Sequence, residues 1–357
     1  MTCNEGGILI VILGIPQRLC SFLVMSVLII SIGTISEACI YQGLTNSTII
    51  DNETPSEIQT DDLEKPYNEE PSTEDATESR RLHRSRINAG PIYIALLHDS
   101  GVVEYRRQSG ENSLLDWQGV VSIASGWHTV GLLADGTIIY YLEYGTNWWD
   151  PDLDVETWSD IIMVSANINI TIGLRSNGTV VAAGYGYDGQ CDTEEWSGIT
   201  TISSGQYHTL GVRSDGTVVA VGANYDGECD VSSWGDIVAV ACGESHSLGL
   251  RSDGTVIATG ENNRGQCDVS EWRDIKMIAA GAWHSVGLRA DGTVFATGLN
   301  ILYEDLYYVE PVYLGQCDIM DWIGVVEIAA GGHCTIGLTS EGEILFAGVF
   351  ANELPRY

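Results

Sequence analysis

Tryptophan recurs at nearly constant spacing through the second part of the chain, and this repeat constrains the fold more than any other feature. Trp158, Trp196, Trp234 and Trp272 are separated by 38 residues each, with a longer unit before Trp322. Each tryptophan precedes a similar sequence, which includes an apolar run and a pair of short β-rich runs. A fixed period of this length indicates stacked supersecondary units rather than an irregular globular core.

A turn signal between the two β-rich runs predicts how many units there are. Asp-Gly or a related pair between short β-rich runs is a strong hairpin signal, because a reversed two-residue turn needs positive φ, which Gly and Asp tolerate. Seven such pairs occur: Ser100-Gly101, Asp135-Gly136, Asn177-Gly178, Asp215-Gly216, Asp253-Gly254, Asp291-Gly292 and Glu341-Gly342. With about four strands expected per unit, they predict an all-β, seven-bladed β-propeller.

The two ends of the repeat region are expected to complete each other. The first hairpin, residues 93–106, lacks a tryptophan-led strand before it, and the last, residues 335–348, lacks a Gly-Gln-Cys-Asp stretch after it. We therefore predict a ring that spans residues 90–357, closes between Ile92 and Tyr357, and folds without the first 89 residues.

The repeat resembles a known family in its sequence pattern. Residues 205–220 read GQYHTLGVRSDGTVVA, and this sequence resembles the regulator of chromosome condensation repeats. The resemblance covers roughly residues 90–357, and the variant with Gly-Gln-Cys-Asp and Trp is similar to microbial, often exported members. It implies a propeller but says little about function, because members of the whole family range from the eukaryotic exchange factor for Ran to a secreted β-lactamase inhibitor and surface proteins of unknown role.

The amino-terminal part has the pattern of an exported or membrane-attached protein. Residues 19–36 are uncharged and follow Arg18, which fits a signal peptide or a membrane anchor over residues 1–38 that contacts the membrane. A buried core helix is the alternative. Cleavage after Ala38 or lipid attachment at Cys39 would each fit, and the localisation predicted is extracellular or at the cell surface.

Residues 39–89 are predicted to be a disordered acidic linker. The stretch 51–78 is rich in Asp, Glu, Pro, Ser and Thr and contains a single Lys. Asn46 and Asn52 stand in glycosylation acceptor patterns. The basic residues 80–86 are either a protease-processing site or a solvated linker end.

The net charge of −33 excludes one class of partner and favours another. A chain this acidic repels a phosphate backbone, so we expect no nucleic-acid binding. A protein partner is predicted, and a basic one would be steered electrostatically. A glycan remains an alternative ligand.

The repeated polar residues are expected to be structural, with each histidine hydrogen-bonded within its own blade. One histidine per unit is spread around a ring, whereas a catalytic or metal site needs different groups that converge. The same holds for the cysteines, which lack close Cys-x-x-Cys pairs and are predicted to be small buried thiols. The predicted structural residues are His128, His208, His246, His284, Trp196, Trp234 and Trp272. No catalytic residue, metal or cofactor is expected.

Two units are lengthened at the same point, between the hairpin and the next tryptophan. The inserted residues, 141–156 and 299–314, carry many aromatic side chains, which are typical anchors of interfaces. We expect both insertions to project from one face and to bind a ligand, although the aromatics could instead pack locally. The candidate ligand-binding residues are Tyr144, Trp148, Trp149, Asp150, Tyr303, Tyr307, Tyr308 and Tyr313. Asp150, Asp152 and Asp154 alternate as in a calcium loop, but its Gly and distal Glu do not follow.

These features together predict a non-enzymatic, exported or surface-anchored protein-interaction scaffold. The alternatives are a secreted inhibitor that blocks an enzyme cleft, a nucleotide-exchange factor if the chain is not exported, and an enzyme with its site in the central channel. The absence of a phosphate loop, a nucleophile elbow or a His-Glu-x-x-His motif weighs against an enzyme.

Overall fold

The structure is a computed structural model that describes residues 85–91, 93–106, 112–142, 154–168, 170–302 and 312–349. The described residues form strands, turns and loops, with no helix among them. No helix that is long and apolar enough to cross a membrane therefore occurs in this part of the chain. The predicted signal or anchor segment and residues 39–84 of the predicted linker lie outside it.

Antiparallel strands form seven sheets that follow one another along the chain. The first sheet has four strands, which are β1 (Ile87–Ala89), β2 (Ile94–Leu97), β3 (Val103–Arg106) and β4 (Asn112–Leu115). The next five sheets have three strands each: β5 (Val120–Ser125), β6 (His128–Leu133), β7 (Ile138–Leu142); β8 (Ile161–Ala166), β9 (Ile170–Arg175), β10 (Val180–Gly184); β11 (Ile199–Ser204), β12 (His208–Arg213), β13 (Val218–Gly222); β14 (Ile237–Cys242), β15 (His246–Arg251), β16 (Val256–Gly260); β17 (Ile275–Ala280), β18 (His284–Arg289), β19 (Val294–Gly298). A hairpin of β20 (Ile301–Leu302) and β21 (Val312–Tyr313) precedes the seventh sheet, β22 (Val325–Gly331), β23 (His333–Thr339) and β24 (Ile344–Val349).

The sheets close into a ring, as predicted. Seven buried hydrophobic clusters each join two neighbouring sheets. An open row of seven sheets would have only six such junctions. The seventh cluster packs Ile87 and Leu96 of the first sheet against Ile336 and Leu338 of the last. The first strand of every sheet lines the central cavity, so the fold is a seven-bladed β-propeller.

The first sheet differs from the prediction because it has an inner strand after all. β1 begins at Ile87, before position 90, although no tryptophan precedes it. Besides pairing with β2, this strand is bound by a side chain from the last sheet. The Glu327 carboxylate on β22 accepts hydrogen bonds from the backbone N–H of Arg86 (2.7 Å) and Ile87 (3.3 Å). The Arg86 guanidinium also pairs with Glu327, with Nε and Oε2 3.4 Å apart. The ring closes through these contacts, whereas Ile92 and Tyr357 lie outside the described residues.

The two ends of the propeller carry different connections. The hairpin face holds the turns between the second and third strands, such as Asp215-Gly216. The insertion face holds the turns between the first and second strands and the loops that follow the third strands. β1 runs from the hairpin face towards the insertion face, since it is antiparallel to β2 and precedes the turn at Gly90.

The Asp-Gly turns differ in detail from the expected reversed turns. Gly216 has a φ of 80°, but Asp215 is not among the residues with positive φ. Instead, Asp215 Oδ1 accepts hydrogen bonds from the Thr217 backbone N–H (3.0 Å) and hydroxyl (2.6 Å). Glycine alone needs the left-handed conformation here, because the aspartate stabilises the turn through its side chain.

Among the described residues, no fourth strand joins the second to seventh sheets, although one was expected in each unit. The Gly-Gln-Cys-Asp stretches after β10, β13 and β16 form turns. Their Gln or Glu side chain is buried and folds back on the turn: Gln190 Oε1 accepts from the Asp188 N–H at 3.0 Å, and Gln266 Oε1 from the Arg264 N–H at 3.0 Å. These turn contacts satisfy backbone groups that a strand would have paired.

Candidate functional site

Both insertions leave the propeller from the insertion face. The first begins after β7 and the second after β19, which are third strands of their sheets. Seven of the eight candidate ligand-binding residues lie outside the described residues: Tyr144, Trp148, Trp149, Asp150, Tyr303, Tyr307 and Tyr308. Asp152 of the alternative calcium loop also lies outside them. Their role stays a prediction.

Tyr313 is the candidate ligand-binding residue that the structure describes. It ends β21 and remains 58% exposed. Its hydroxyl donates a hydrogen bond to the Asp318 carboxylate. The Asn300 side-chain amide nitrogen lies 3.4 Å from the Tyr313 hydroxyl oxygen. The ring also lies against Gly315. One edge of Tyr313 is thus held by its own loop while the remaining surface is open to solvent.

The repeated histidines join neighbouring sheets rather than bonding within one. His208 Nε2 lies 2.9 Å from Ser247 Oγ of the next sheet, and Ser247 Oγ donates to the Glu228 carbonyl oxygen at 2.7 Å. The serine hydroxyl has one proton, so Nε2 carries its own proton and donates. The equivalent contacts are His128 with Thr171, His246 with Ser285 and His284 with Thr335.

Burial keeps these imidazoles neutral. It lowers the pKa of His128 and His208 to about 4 and, with the nearby imidazoles, that of His246 and His284 to about 3. The other ring nitrogen, Nδ1, has no hydrogen-bond partner within the described part of the chain. A neutral, sealed imidazole does not reach a ligand on either face.

The repeated tryptophans lie between sheets and cover a glycine of the middle strand. A Cβ atom on Gly211 would stand 2.7 Å from the Trp196 ring, and one on Gly249 would stand 2.7 Å from Trp234. Trp196 also packs against Ile172 of the preceding sheet. The same arrangement holds for Trp272 over Gly287.

The repeated cysteines are free, half-buried thiols. Burial raises the pKa of Cys191, Cys229 and Cys267 to about 11 and that of Cys317 to about 12, with smaller contributions from nearby carboxylates. They are therefore protonated and poorly nucleophilic at neutral pH. Among the described residues, no group of three His, Cys, Asp or Glu side chains could hold a metal ion.

Exposed aromatic side chains outside the two insertions also lie on the insertion face. Trp127, in the turn after β5, is 43% exposed, while Tyr187 and Tyr225, in loops after third strands, are 87% and 81% exposed. Tyr187 stacks on Tyr185 with ring centroids 5.6 Å apart. The sequence analysis missed these residues, although the repeats carry a signal: Tyr187 and Tyr225 align with Asn263, and Trp127 aligns with Ser245.

Charge also differs between the two faces. Among the described residues of the second to seventh blades, one Arg or Lys, Arg264, lies on the insertion face. Its guanidinium lies 5.4 Å from the centroid of the Trp283 ring. The other basic residues there lie at the hairpin face, beside the turns or at the start of β17: Arg175, Arg213, Arg251, Arg273, Lys276 and Arg289. The insertion face is therefore acidic and aromatic.

Solved structures with the same fold come from yeast, plants and humans. Prp20p from Saccharomyces cerevisiae, studied for its binding to Gsp1p and histones, is 16% identical with a TM-score of 0.55, over 75% of this chain and 83% of that one. The ectodomain of the Arabidopsis thaliana receptor kinase ACR4 is 14% identical with a TM-score of 0.54, over 76% and 98%. Human WBSCR16 is 19% identical with a TM-score of 0.51, over 68% and 81%. At these identities the similarity shows the fold alone.

The sequence of individual sheets identifies the repeat. No curated protein matches the chain. The model of the regulator of chromosome condensation (RCC1) repeat matches residues 199–228, 237–266 and 275–301. These three ranges are the fourth, fifth and sixth sheets with the loops that follow. The fourth, fifth and sixth sheets of this propeller are therefore repeats of the regulator of chromosome condensation family.

Proposed function

We propose that this protein is a non-enzymatic scaffold that binds a protein partner through its insertion face and is displayed outside the cell. The observation that carries the proposal is the concentration of exposed aromatics on one face. Trp127, Tyr187, Tyr225 and Tyr313 are all exposed there, and both long insertions start from it. Large, exposed aromatic side chains are the residue types that dominate binding energy at protein interfaces.

The hairpin face differs in its exposed side chains: the large apolar ones there are aliphatic, including Val238, Met320 and Ile323. Its turns are short, and their polar groups are satisfied locally, as Asp215 shows with Thr217. The buried histidines are sealed between sheets and do not offer acid–base groups to a ligand. Support for a binding role, rather than a catalytic one, comes from this division between the two faces.

Two solved structures with the same fold bind proteins. Prp20p is described with Gsp1p and histones, and yeast RCC1 (Prp20) has been crystallised with Kap60. A propeller offers a rigid ring whose loops vary without disturbing the sheets, which suits recognition of a macromolecular surface. We extend the binding of proteins, but not the identity of these partners, to this chain.

Display outside the cell rests on the uncharged run at residues 19–36 and on the course of the chain. Because β1 runs from the hairpin face to the insertion face, Ser85, which precedes β1, lies at the hairpin end of the propeller. A tether attached there leaves the insertion face free for a partner.

Partner capture tests the binding role. Full-length protein with Trp127→Ala and Tyr187→Ala, and separately with Trp148→Ala and Trp149→Ala, is used to capture proteins from the native source. Each anchor is expected to contribute about 2 kcal/mol, so each double variant should lose most of the captured partner. Val238→Ala, which removes an exposed apolar side chain at the hairpin face, is the matched control.

Two results would contradict the proposal. Capture that is weakened by Val238→Ala but by neither double variant would place binding on the hairpin face. A reporter fused after Arg86 that stays in the cytosol would remove the display outside the cell and favour the exchange-factor alternative.

A further inference from the structure

The central cavity has one acidic group at its insertion-face mouth. The cavity encloses about 280 Å³ and is lined mostly by small side chains of the seven inner strands, with Ser, Asn and Ala prominent. Glu244, in the turn between β14 and β15, contributes the one carboxyl group among the described lining residues. The equivalent positions in other sheets are Gln206, Ala282 and Gly332, so the charge belongs to a single blade.

Among the residues that the structure describes, the Glu244 carboxylate has no compensating partner. The backbone N–H of Glu244 donates to the Ala282 carbonyl oxygen at 3.2 Å. In contrast, its half-buried carboxylate accepts no hydrogen bond and pairs with no cation within the described chain. Burial, and then the charge of Glu261, raises its pKa. An ionised group held in such a place lowers the stability of the free protein, which is typical of residues kept for binding.

Tyr207, in the corresponding turn of the preceding blade, lies within electrostatic reach of this carboxylate. Burial, then the charges of Glu244 and Asp188, raises the pKa of Tyr207, so this phenol lies in the field of both carboxylates. The Tyr225 hydroxyl donates to Asp188 Oδ1 at 3.0 Å. Acids and tyrosines from three successive blades are thus connected on the insertion face, next to the blade that carries Glu244.

The nearby basic residue is already engaged. Arg264 lies over the Trp283 ring, which in turn contacts His333 with ring centroids 5.1 Å apart. A single carboxylate with phenol groups is a poor metal site, because the cations bound by proteins use several oxygen, nitrogen or sulfur ligands. A flexible cationic side chain fits better: it pairs with a carboxylate, and tyrosine rings stabilise the cation.

We propose that the insertion-face mouth of the cavity binds a basic side chain, arginine or lysine, from an extended segment of the protein partner. Glu244 pairs with the cation inside the mouth, and Tyr207 and Tyr225 contact the chain on either side. This proposal rests on the proposed function and names the anchor of the partner. The acidic field of the surrounding face increases the rate at which a basic segment arrives.

Peptide binding to the full-length protein tests the anchor directly. The probes are an Arg-Gly repeat peptide with blocked ends, its lysine counterpart, and its citrulline counterpart, which keeps the shape but lacks the charge. Titration calorimetry at low salt is expected to show binding of the two charged peptides and at least tenfold weaker binding of the citrulline peptide. Glu244→Gln should weaken binding of the charged peptides at least tenfold.

A matched control separates the site from the overall charge. Glu341 is exposed at a hairpin-face turn, so Glu341→Gln removes the same charge from the other face and should change the affinity less than twofold. Glu244→Gln should melt at the same or a higher temperature than the wild type, because an unpaired charge is removed. Unfolding would therefore not explain a loss of binding.

The outcomes distinguish this proposal from the broader one. Equal binding by Glu244→Gln and Glu341→Gln, or equal binding of the citrulline peptide, overturns the anchor. Loss of peptide binding in Glu244→Gln with full capture of the native partner also overturns it, while the scaffold function stands. Loss of both in Glu244→Gln, with Glu341→Gln unaffected, supports it.

Discussion

Removal of β1 tests how the ring is closed. We compare two fragments, residues 85–357 and residues 90–357, which differ by five residues that include all of β1. The shorter fragment loses the burial of Ile87, worth about 1.5–3 kcal/mol, and uncovers one side of the cluster that joins the first and last sheets. It also loses the backbone donors that Glu327 accepts from, at about 1.5–3 kcal/mol each.

Part of this loss is recovered, because water reaches Glu327 once β1 is gone. A net loss on the order of 5 kcal/mol remains, which for a domain of this size corresponds to a fall in melting temperature of about 10–20 °C. Thermal unfolding followed by near-ultraviolet circular dichroism of the buried tryptophans measures it. We therefore expect the fragment from residue 85 to fold, and the one from residue 90 to be strongly destabilised.

A point variant isolates the carboxylate. Glu327→Ala in the full-length protein should lower stability by about 3 kcal/mol, because two backbone N–H groups lose their acceptor, whereas Glu341→Ala at an exposed turn should have little effect. Equal melting temperatures for the two fragments would refute closure through β1. Equal behaviour of Glu327→Ala and Glu341→Ala would refute the role of the carboxylate.

Two further predictions concern the junctions between sheets. Burial lowers the pKa of His208 from its usual 6.5 to about 4, so as pH falls through this window the unfolded chain takes up a proton that the folded chain refuses. Each such histidine should lower the free energy of unfolding by about 2 kcal/mol between pH 7 and pH 5, which urea unfolding at the two pH values measures. His208→Gln should reduce the pH dependence of this free energy by about one proton. An unchanged pH dependence would argue against a buried neutral ring. Gly211→Ala should destabilise the fold by about 1–3 kcal/mol, because the added Cβ would stand 2.7 Å from the Trp196 ring. Gly235→Ala is the control and should be nearly neutral, because its added Cβ would have no atom within 4 Å. Similar unfolding midpoints for the two variants would contradict the tight packing.

The sequence predicted the architecture because the repeat carries local signals. The Asp-Gly pairs and the tryptophan period determine where hairpins form, and each hairpin is made from residues close in the chain. β1 was missed because its stabilising partner, Glu327, is remote and its own sequence follows a basic segment that resembles a linker end. The cross-sheet partner of His208 was missed for a related reason: Ser247 belongs to the next repeat.

The candidate site was predicted only in part. The shared insertion point follows from the alignment of the repeats, and the structure places both starting points on one face. The acidic mouth escaped notice because Glu244 stands in a turn where a single substitution carries no periodic signal. Only the fold brings Asp188, Tyr207 and Glu244 of three blades within electrostatic reach of one another on the insertion face. Most aromatics of the two insertions remain predictions.

Closure through β1 also has a consequence for the order of folding. The Arg86 N–H and the Glu327 carboxylate are separated by 241 residues. Among the strands of the propeller, β1 is synthesised first. β22 is synthesised only after the five intervening sheets. Bringing the ends of such a long chain together costs about 5 kcal/mol of loop entropy if the intervening sheets are still unfolded, and less once they have stacked. We expect the hairpins to form early and the ring to close last, so the folding rate depends on the one junction that the local repeat does not encode.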